Sequence, residues 1–300
     1  MQNNYSQEWF CARAFSSLKK IDTDAWDYSD SLLLYIPGAE EEYETIQQTD
    51  TPYYQLVTKP EREYLQSIAD DLVRELPNQF SYIDLGPGTQ HKEQFIFDAA
   101  RRQNKRFTYV PVDISLHFLQ LAQRYAEHQV VPTMPFLCAF EELPGKLPST
   151  VSSRFVSLGL TFGNYDPQII LSLLHAIAGE DGLSFVDVQV RDRTDMQAVC
   201  AMYKLDASRR TFDPKIALLG INVDRDVADR TSDDGINFWY ILKNVTPKLS
   251  ALGMKPGDKL LVLRSTRYTK KLLEIELRRV FASATFFDTN RSFLGALLKG

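Results

Sequence analysis

The stretch Ser81-Tyr-Ile-Asp-Leu-Gly-Pro-Gly-Thr-Gln90 decides how this chain folds. It begins as a short apolar run, reaches the acid Asp84, and then turns through Gly86 and Gly88. Glycine has no Cβ atom, so the backbone can turn sharply there and approach a ligand closely. A strand that runs into a glycine-rich turn before a helix is typical of open parallel sheets, which bind ligands at the carboxyl ends of their strands.

The next predicted strand, Phe107–Ile114, carries a second acid, Asp113, near its end. In sheets that bind an adenosine-type cofactor, a carboxylate at this place can accept hydrogen bonds from both ribose hydroxyls. Asp84 could accept a further hydrogen bond or face the cationic end of the ligand. A dinucleotide site would need a third glycine where His91 stands, so that a helix N-terminus can meet the pyrophosphate. S-adenosylmethionine (SAM) has no phosphate, and the pattern therefore favours SAM over NAD.

Strand-like and helix-like segments alternate from residue 81 onward, which predicts a parallel sheet with right-handed crossovers. The predicted strands are Ser81–Leu85, Phe107–Ile114, Pro135–Phe140, Phe155–Leu160, Leu183–Val190, Lys259–Ser265 and Phe293–Leu298. The predicted helices are Gln94–Arg102, Leu116–His128, Pro167–Ala178 and Lys270–Phe281. The sequence between the last helix and the last strand, residues 282–292, reads as a link. The fold class predicted is α/β, with a seven-stranded Rossmann-like sheet.

Two regions lie outside this alternation, residues 1–78 and residues 196–257. Both look helical, and the second contains the charged run from Val223 to Arg230. We expect them to pack together as a smaller lobe that covers the substrate. Residues 79–195 and 258–300 would then form the cofactor-binding domain.

The composition excludes several functional classes. Acidic residues number 39 and basic residues 34, which gives a formal net charge of -5. Nucleic-acid-binding proteins usually present a basic surface, so no nucleic-acid partner is expected. The three cysteines form no CxxC pair and the four histidines show no ligand spacing, so no metal is expected.

The expected location is the cytoplasm. Cys11, Cys138 and Cys200 are far apart in the chain and argue for a reducing compartment. The first eight residues lack the basic and apolar segments of a signal peptide. No apolar run approaches the roughly 18 to 20 residues that a membrane span needs, so no membrane partner is expected.

Four segments together carry a family resemblance. They are Asp84-Leu-Gly-Pro-Gly-Thr89 with Lys92, Tyr109-Val-Pro-Val-Asp-Ile-Ser115, Leu158-Gly-Leu-Thr-Phe-Gly-Asn-Tyr-Asp-Pro167, and Thr51-Pro-Tyr-Tyr54 followed by Thr58 and Glu61. Over about residues 50–205 the chain resembles the histidine-specific, SAM-dependent methyltransferase family. The resemblance implies SAM as the cofactor and the class I SAM-methyltransferase sheet, whose last strand runs antiparallel.

The resemblance also implies roles for particular positions. Asn164 and Tyr53 would face the amino-acid substrate as catalytic residues, with Asn164 touching its amine or carboxylate. The substrate would also meet Tyr35, Tyr203 at its carboxylate, and Ser265. The cofactor site is assigned to Asp84, Gly86, Gly88, Lys92, Asp113, Ile114, Phe140 and Glu141.

Two departures from the family pattern bear on the substrate and the cofactor. The family's sixth strand ends Glu-x-Ser and holds an imidazole, whereas this chain reads Leu263-Arg264-Ser265. Leucine cannot accept the imidazole N–H, and an unpaired buried donor costs on the order of 1–3 kcal/mol. The third strand normally ends on an acid for the adenine, and here Glu141 or Glu142 would have to replace it.

The sequence therefore predicts a SAM-dependent methyltransferase that acts on nitrogen. The leading acceptor is the α-amine of an amino acid or a similar small molecule, other than histidine. Two alternatives stay open. One is a catalytically silent protein that binds SAM or a partner, suggested by the altered Glu141 and Leu263 regions. The other is a methyltransferase for an oxygen, carbon or carrier-bound acceptor.

Overall fold

Two β-sheets organise the chain, and the computed structural model describes residues 5–225, 230–232 and 235–300. Residues 226–229 of the charged run therefore lie outside the described part. The strands are β1 (Lys19–Asp22), β2 (Ala25–Asp27), β3 (Gln79–Leu85), β4 (Arg106–Asp113), β5 (Phe136–Leu137), β6 (Arg154–Leu158), β7 (Leu183–Gln189), β8 (Val223–Asp224), β9 (Arg230–Ser232), β10 (Gly235–Leu242), β11 (Lys259–Thr266), β12 (Ser283–Asp288) and β13 (Phe293–Lys299).

Helices connect and cover the strands. They are α1 (Gln7–Ser17), α2 (Glu40–Ile46), α3 (Lys59–Arg74), α4 (Glu93–Arg102), α5 (Leu116–His128), α6 (Pro167–Ala178), α7 (Met196–Tyr203), α8 (Asp206–Arg210), α9 (Asp213–Ala217), α10 (Pro247–Ala251) and α11 (Lys270–Leu277). Within the described ranges, no helix is both long enough and apolar enough to cross a membrane.

The larger sheet has seven strands in the order β12-β13-β7-β6-β3-β4-β5. Strands β3 to β7 are parallel to one another, and β13 runs antiparallel to both β7 and β12. The chain continues from β3 to β4 on one side, while β6 pairs on the other side of β3. Such a reversal of strand order opens a crevice at the carboxyl ends of the strands. The predicted α/β fold with an antiparallel last strand is confirmed.

Capping side chains fix the turns that lead out of two of these strands. After β4, the Ser115 hydroxyl accepts a hydrogen bond from the Phe118 N–H at 3.3 Å and starts α5. After β6, the Asp166 carboxylate accepts one from the Gln168 N–H at 2.9 Å and starts α6. A capped first turn satisfies backbone donors that would otherwise lack partners. The first turn of each helix is therefore fixed where the chain leaves the carboxyl edge of the sheet.

The smaller sheet has the order β1-β2-β11-β10-β8, with β9 also paired to β10. Strand β11 is parallel to β2 and antiparallel to β10. Its apolar face packs into a core that includes Trp26, Phe238, Tyr240 and Leu263. This sheet lies beside the crevice of the larger sheet and supplies the crevice with residues from the end of β11.

One predicted strand belongs to a different sheet from the one expected. Lys259–Ser265 does form a strand, but it pairs with β10 and β2 and not with the larger sheet. The sixth strand of the larger sheet in chain order is Ser283–Asp288, which had read as part of a link. This strand lies at the sheet edge and is only half buried, so it lacks the apolar run that marks an inner strand.

The two regions expected to be helical also contain strands. Residues 1–78 contribute β1 and β2, and residues 196–257 contribute β8, β9 and β10. Helix α3 packs against the larger sheet, where Tyr64 stacks on Phe293 at 6.1 Å between ring centroids. We propose a matching change in the predicted domain boundaries. Helix α3 then belongs with the larger sheet, and strand β11 belongs with the smaller one.

A fully buried lysine ties the smaller sheet to its surroundings. The Lys215 ammonium group donates to the carbonyl of Asp30 at 3.0 Å and to the carbonyl of Val262 at 3.2 Å. It also lies 4.8 Å from the centre of the Tyr28 ring. Burial lowers the pKa of Lys215 to about 7, although the carboxylate of Asp30 opposes part of that shift. The folded protein thus holds this amine with a weakened affinity for its proton.

We expect Lys215 to make the stability depend on pH. Between pH 7 and the ordinary lysine pKa, the unfolded chain keeps the proton that the folded chain has lost, so stability rises with pH. This one group contributes a slope approaching about 1.4 kcal/mol per pH unit. Urea unfolding of Lys215→Met at pH 7, 8 and 9 should show a smaller slope than the parent protein. The exposed control Lys271→Met should not, and an unchanged slope in Lys215→Met would contradict the assignment.

Candidate active site at the carboxyl edge of the larger sheet

The glycine-rich turn after β3 adopts a backbone conformation that favours glycine. Gly86 has φ 71° and Gly88 has φ 65°, both in the left-handed region. The Gly86 N–H donates to the Val112 carbonyl at 2.9 Å, which holds the turn against β4. A Cβ atom on Gly88 would meet nothing within 4 Å, so the turn leaves open space on that side. A ligand can therefore approach the backbone here.

A cavity of about 520 Å³ lies between this turn and the end of β4. It is lined by Leu32, Tyr35, Tyr43, Gly86, Gly88, Asp113, Ile114, Phe118, Cys138, Ala139, Phe140, Thr161 and Tyr165. We call it the first cavity. Its walls are mostly apolar and its one carboxylate is Asp113, an arrangement suited to a flat base and a polar sugar.

The Asp113 carboxylate is buried near the N-terminus of α5. One of its oxygens accepts a hydrogen bond from the Ser115 N–H at 2.8 Å. Burial raises the pKa of Asp113 to about 7, against the effect of the backbone N–H groups of Ser115 and Ile114. The group is thus ionised above neutral pH and becomes protonated below it.

A second cavity, of about 650 Å³, joins the first one. The two share Tyr35, Tyr43, Gly86, Gly88 and Thr161. The second is lined in addition by Gln47, Tyr53, Thr58, Glu61, Pro87, Thr89, Gln90, Lys92, Gly159, Leu160, Asn164, Tyr203, Ser265 and Arg267. Its walls are largely polar, and they come from both sheets.

Tyrosine rings form two perpendicular pairs along these walls. Tyr53 and Tyr203 lie 6.3 Å apart between ring centroids at 90°, and Tyr35 and Tyr43 lie 5.7 Å apart at 79°. Burial raises the pKa of Tyr35 to about 12 and that of Tyr53 well above its ordinary value. These phenols therefore stay neutral near pH 7 and present ring faces and hydroxyl groups to the cavity.

Asn164 reaches the second cavity from a short 3₁₀ turn, Leu160–Asn164, that follows β6. A Cβ atom on Gly163 would lie 2.6 Å from the Thr266 carbonyl oxygen at the end of β11. Only glycine allows the two backbones to come this close. This close approach brings Asn164 and Ser265 to the same cavity although they belong to different sheets.

An ion pair supports the floor of the second cavity. The Lys92 ammonium group lies 2.6 Å from a carboxylate oxygen of Glu61, whose side chain is only 4% exposed. Burial alone would lower the pKa of Lys92, but Glu61 and Asp187 outweigh it and the net pKa is raised. Burial, followed by the charge of Glu61, raises the pKa of Asp187 well above its ordinary value. Asp187 therefore releases its proton less readily than an ordinary carboxyl group, and Lys92 and Glu61 form an ion pair.

Two predicted cofactor residues are not brought into either cavity. The Asp84 carboxylate turns beneath the glycine-rich turn, where it accepts hydrogen bonds from Tyr109 at 2.9 Å and Ser157 at 3.0 Å. Glu141 lies in the first turn of the 3₁₀ helix Phe140–Gly145 and points outward to Arg13 at 3.0 Å. In each case a neighbouring polar group outside the cavities holds the carboxylate.

The other predicted positions do line the cavities. The first cavity holds Asp113, Ile114 and Phe140, the second holds Lys92, Tyr53, Asn164, Tyr203 and Ser265, and both share Gly86, Gly88 and Tyr35. Sequence reasoning missed Gln47, Tyr43, Tyr165 and Arg267. Arg267 follows Ser265 by two residues, and that spacing keeps side chains on one face of an extended chain. The alternation could therefore have identified it.

Within the described ranges, no group of three or more His, Cys, Asp or Glu side chains is arranged to hold a metal ion. The groups that gather at the crevice are instead a glycine-rich turn, the buried carboxylates of Asp113 and Glu61, and several tyrosines.

The glycine-rich turn, the acid that ends the next strand and the antiparallel last strand define a SAM-dependent methyltransferase fold. The model of a family described as "Histidine-specific methyltransferase, SAM-dependent" matches residues 30–190, which is more than half of the chain. The protein belongs to this family. No curated protein matches the chain.

Solved structures with a similar fold share little sequence with this chain. The PH0226 protein from Pyrococcus horikoshii OT3 has a TM-score of 0.48 and 11% identity, over 86% of this chain and 98% of that one. The DhpI-SAH complex has a TM-score of 0.47 and 11% identity, over 90% and 96%. Human N-acetylserotonin methyltransferase with SAM has a TM-score of 0.43 and 14% identity, over 98% and 66%. The family assignment rests on the family match.

The cofactor of the protein is SAM, and the residues present fit it. The open side of Gly88 gives a ligand access to the backbone, and the first cavity offers apolar surfaces of Ile114 and Phe140 for an adenine. The Asp113 carboxylate could take the ribose hydroxyls. Near the second cavity, Lys92 could pair with the cofactor's carboxylate while Glu61 keeps it in place.

We expect cofactor affinity to fall as the pH drops through about 7. The ionised Asp113 carboxylate accepts hydrogen bonds, whereas the protonated form accepts fewer, so the dissociation constant for SAM should rise from pH 8 to pH 6. By isothermal titration calorimetry, Asp113→Asn should bind SAM at least about tenfold more weakly than the parent protein at pH 8. Its affinity for SAM should also change less with pH.

The matched control for this measurement is Asp84→Asn. Burial raises the pKa of Asp84 to about 7 as well, but this carboxylate lies outside both cavities. Asp84→Asn should keep the pH dependence of SAM binding. If Asp84→Asn removed that dependence and Asp113→Asn kept it, the assignment of the ribose site would be wrong.

Proposed function

We propose that this protein transfers the methyl group of SAM to the α-amine of an amino acid or a similar small molecule, other than histidine. The supporting observation is that Asn164, Tyr53 and Tyr203 line one cavity that opens into the cofactor cavity at Gly86 and Gly88. A methyl donor in the first cavity and an acceptor in the second would therefore meet at this shared boundary.

The position of the second cavity favours a small acceptor. The site lies between the two sheets, with walls from α2, the Leu160–Asn164 turn and the end of β11. Such an enclosed position suits a free metabolite better than a polymer.

The proposed mechanism depends on orientation. Bound SAM supplies an electrophilic methyl group on a cationic sulfur, so transfer breaks a carbon–sulfur bond and forms a carbon–nitrogen bond. The Asn164 side chain would accept an N–H of the neutral amine and aim the nitrogen lone pair at the cofactor cavity. Holding two reactants in line and excluding water supplies much of the rate enhancement in such reactions.

The tyrosines would stabilise the charge that develops on the acceptor nitrogen. Tyr53 and Tyr203 present a perpendicular ring pair to the cavity. An aromatic ring face attracts a cation, by about 0.5–2 kcal/mol. Glu61 is engaged by Lys92, so it is not assigned as a base. The methylated ammonium would then release its proton to water.

The end of the cavity formed by β11 disfavours an imidazole. Leu263 lies in the apolar core of the smaller sheet and has no polar side-chain atom. The Ser265 hydroxyl oxygen already accepts a hydrogen bond from Arg267 at 2.7 Å, and a guanidinium group offers donors only. An imidazole N–H needs an acceptor, and β11 contributes no carboxylate to the lining of this cavity. A cytoplasmic location remains a prediction from the sequence.

A panel assay tests the proposed function. The protein is incubated with methyl-labelled SAM and each of the twenty amino acids, and mass spectrometry locates the label. We expect at least one amino acid other than histidine to carry the label on its α-nitrogen, and Asp113→Ala to give no product. SAM binding in a thermal-shift assay with no labelled amino acid would favour a silent homologue. Label on oxygen, on carbon or on a carrier-bound group would favour the other alternative.

We expect Asn164→Ala to impair turnover and spare cofactor binding. Loss of one positioning hydrogen bond should lower kcat/KM for the amino acid found in the panel by about 10- to 100-fold. The dissociation constant for SAM should stay within about twofold, because Asn164 lines only the second cavity. Asn78→Ala, an exposed change at the opposite edge of the sheet, is the control. Full activity in Asn164→Ala would remove this residue from the acceptor site.

A further inference from the structure

Arg267 is a buried cation in the wall of the second cavity. It follows β11 directly, is only 4% exposed, and lines the cavity together with Asn164 and Ser265. One guanidinium nitrogen, Nη1, donates to the Ser265 hydroxyl at 2.7 Å. Its Nε atom is buried and has no hydrogen-bond partner. A guanidinium group has five N–H donors, so most of its hydrogen-bonding capacity is unused.

Arg267 forms no ion pair with the described residues, because no carboxylate among them lies within 4.0 Å of its guanidinium group. Arginine stays charged in proteins, and a buried charge is costly unless it is paired. The other cation of this cavity, Lys92, is matched by Glu61 at 2.6 Å. The second cavity therefore holds one unmatched positive charge, at the end where β11 stops.

The position of this charge relates it to the acceptor amine. The Arg267 Nη1 atom lies 3.6 Å from the point where a Cβ on Gly163 would be, and Gly163 precedes Asn164 in the same turn. An anionic group on Arg267 and an amine at Asn164 can thus belong to one small molecule. The planar fork of a guanidinium group matches a carboxylate with two parallel hydrogen bonds.

We propose that Arg267 binds a carboxylate of the methyl acceptor and makes the protein specific for amino acids over simple amines. This inference rests on the proposed function only in placing the acceptor amine at Asn164. The reactive form of such an acceptor has a neutral amine and a negative carboxylate. Its single negative charge is therefore opposite to the positive charge of Arg267. The carboxylate can be the α-carboxylate or one on the side chain, and the test separates these sources.

The test measures binding to protein loaded with S-adenosylhomocysteine (SAH), so it needs no turnover. Isothermal titration uses five probes, which are L-phenylalanine, L-phenylalanine amide, phenethylamine, L-glutamate and L-glutamine. An acid at least about tenfold tighter than its amide supports the proposal. A difference between phenylalanine and its amide assigns Arg267 to the α-carboxylate, and one between glutamate and glutamine assigns it to a side-chain carboxylate. Equal affinity for acids and amides, or binding of no acid, overturns it.

Variants connect the preference to Arg267. Arg267→Gln should weaken binding of the preferred acid by about 10- to 100-fold, remove the difference between acid and amide, and leave SAH affinity unchanged. Arg267→Lys should recover part of the preference. The control Arg264→Gln removes an exposed charge from the same strand, where it pairs with Asp27, and should have no effect.

A purely structural role would give a different result. Removing an unmatched buried cation should not lower the urea midpoint of unfolding, so Arg267→Gln should unfold no earlier than the parent protein. A lower midpoint with an unchanged acid preference would overturn the proposal.

The binding result and the panel assay can fail separately. Acid binding through Arg267 with no methylated product would sustain this site and reject the proposed reaction. Methylation of phenethylamine and L-phenylalanine with equal kcat/KM, unaffected by Arg267→Gln, would sustain the reaction and reject this site.

Discussion

The ion pair between Lys92 and Glu61 holds the glycine-rich turn against α3, and both cavities depend on the position of that turn. A buried ion pair stabilises a fold only when its geometry is good and its charges are balanced, because desolvation is costly. Gly159 makes room for it, since a Cβ there would lie 3.0 Å from the Glu61 carboxylate. Removing one partner of such a pair typically costs about 3–5 kcal/mol, since the other charge is left buried. The pair therefore fixes the turn and also cancels the charge that Lys92 would bring to the acceptor side.

The two cavities are built in different ways. The first is formed largely at the carboxyl ends of β3, β4, β5 and β6, so one sheet positions the glycine-rich turn and Asp113. The second needs both sheets, because Asn164 follows β6 while Ser265 lies on β11. Their meeting depends on Gly163, which lets the turn after β6 approach the Thr266 carbonyl. Changes in the smaller sheet can thus alter the acceptor site while the cofactor site stays intact.

This difference explains which features the sequence could predict. Strands β3 and β4 and helices α5 and α6 were predicted well, because their apolar periods, glycines and caps are local signals. The family segments also contain many of the residues that line the cavities. An apolar run such as Lys259–Thr266 carries no information about which sheet it joins, and the edge strand Ser283–Asp288 lacks an apolar run. The direction of the Asp84 carboxylate depends on Tyr109 and Ser157, which are distant in sequence.

The acceptor site is best understood through its charge balance. Lys92 is neutralised by Glu61, burial keeps Tyr35 and Tyr53 neutral, and β11 contributes no carboxylate to the cavity. One positive charge, on Arg267, remains at the end of β11. A cavity with a single unmatched cation disfavours a second cation and favours an acceptor that brings a negative group with its neutral amine. An amino acid meets this condition, whereas the amine obtained by removing its carboxylate does not. The methyl acceptor would then be selected at Arg267, away from the atoms that react.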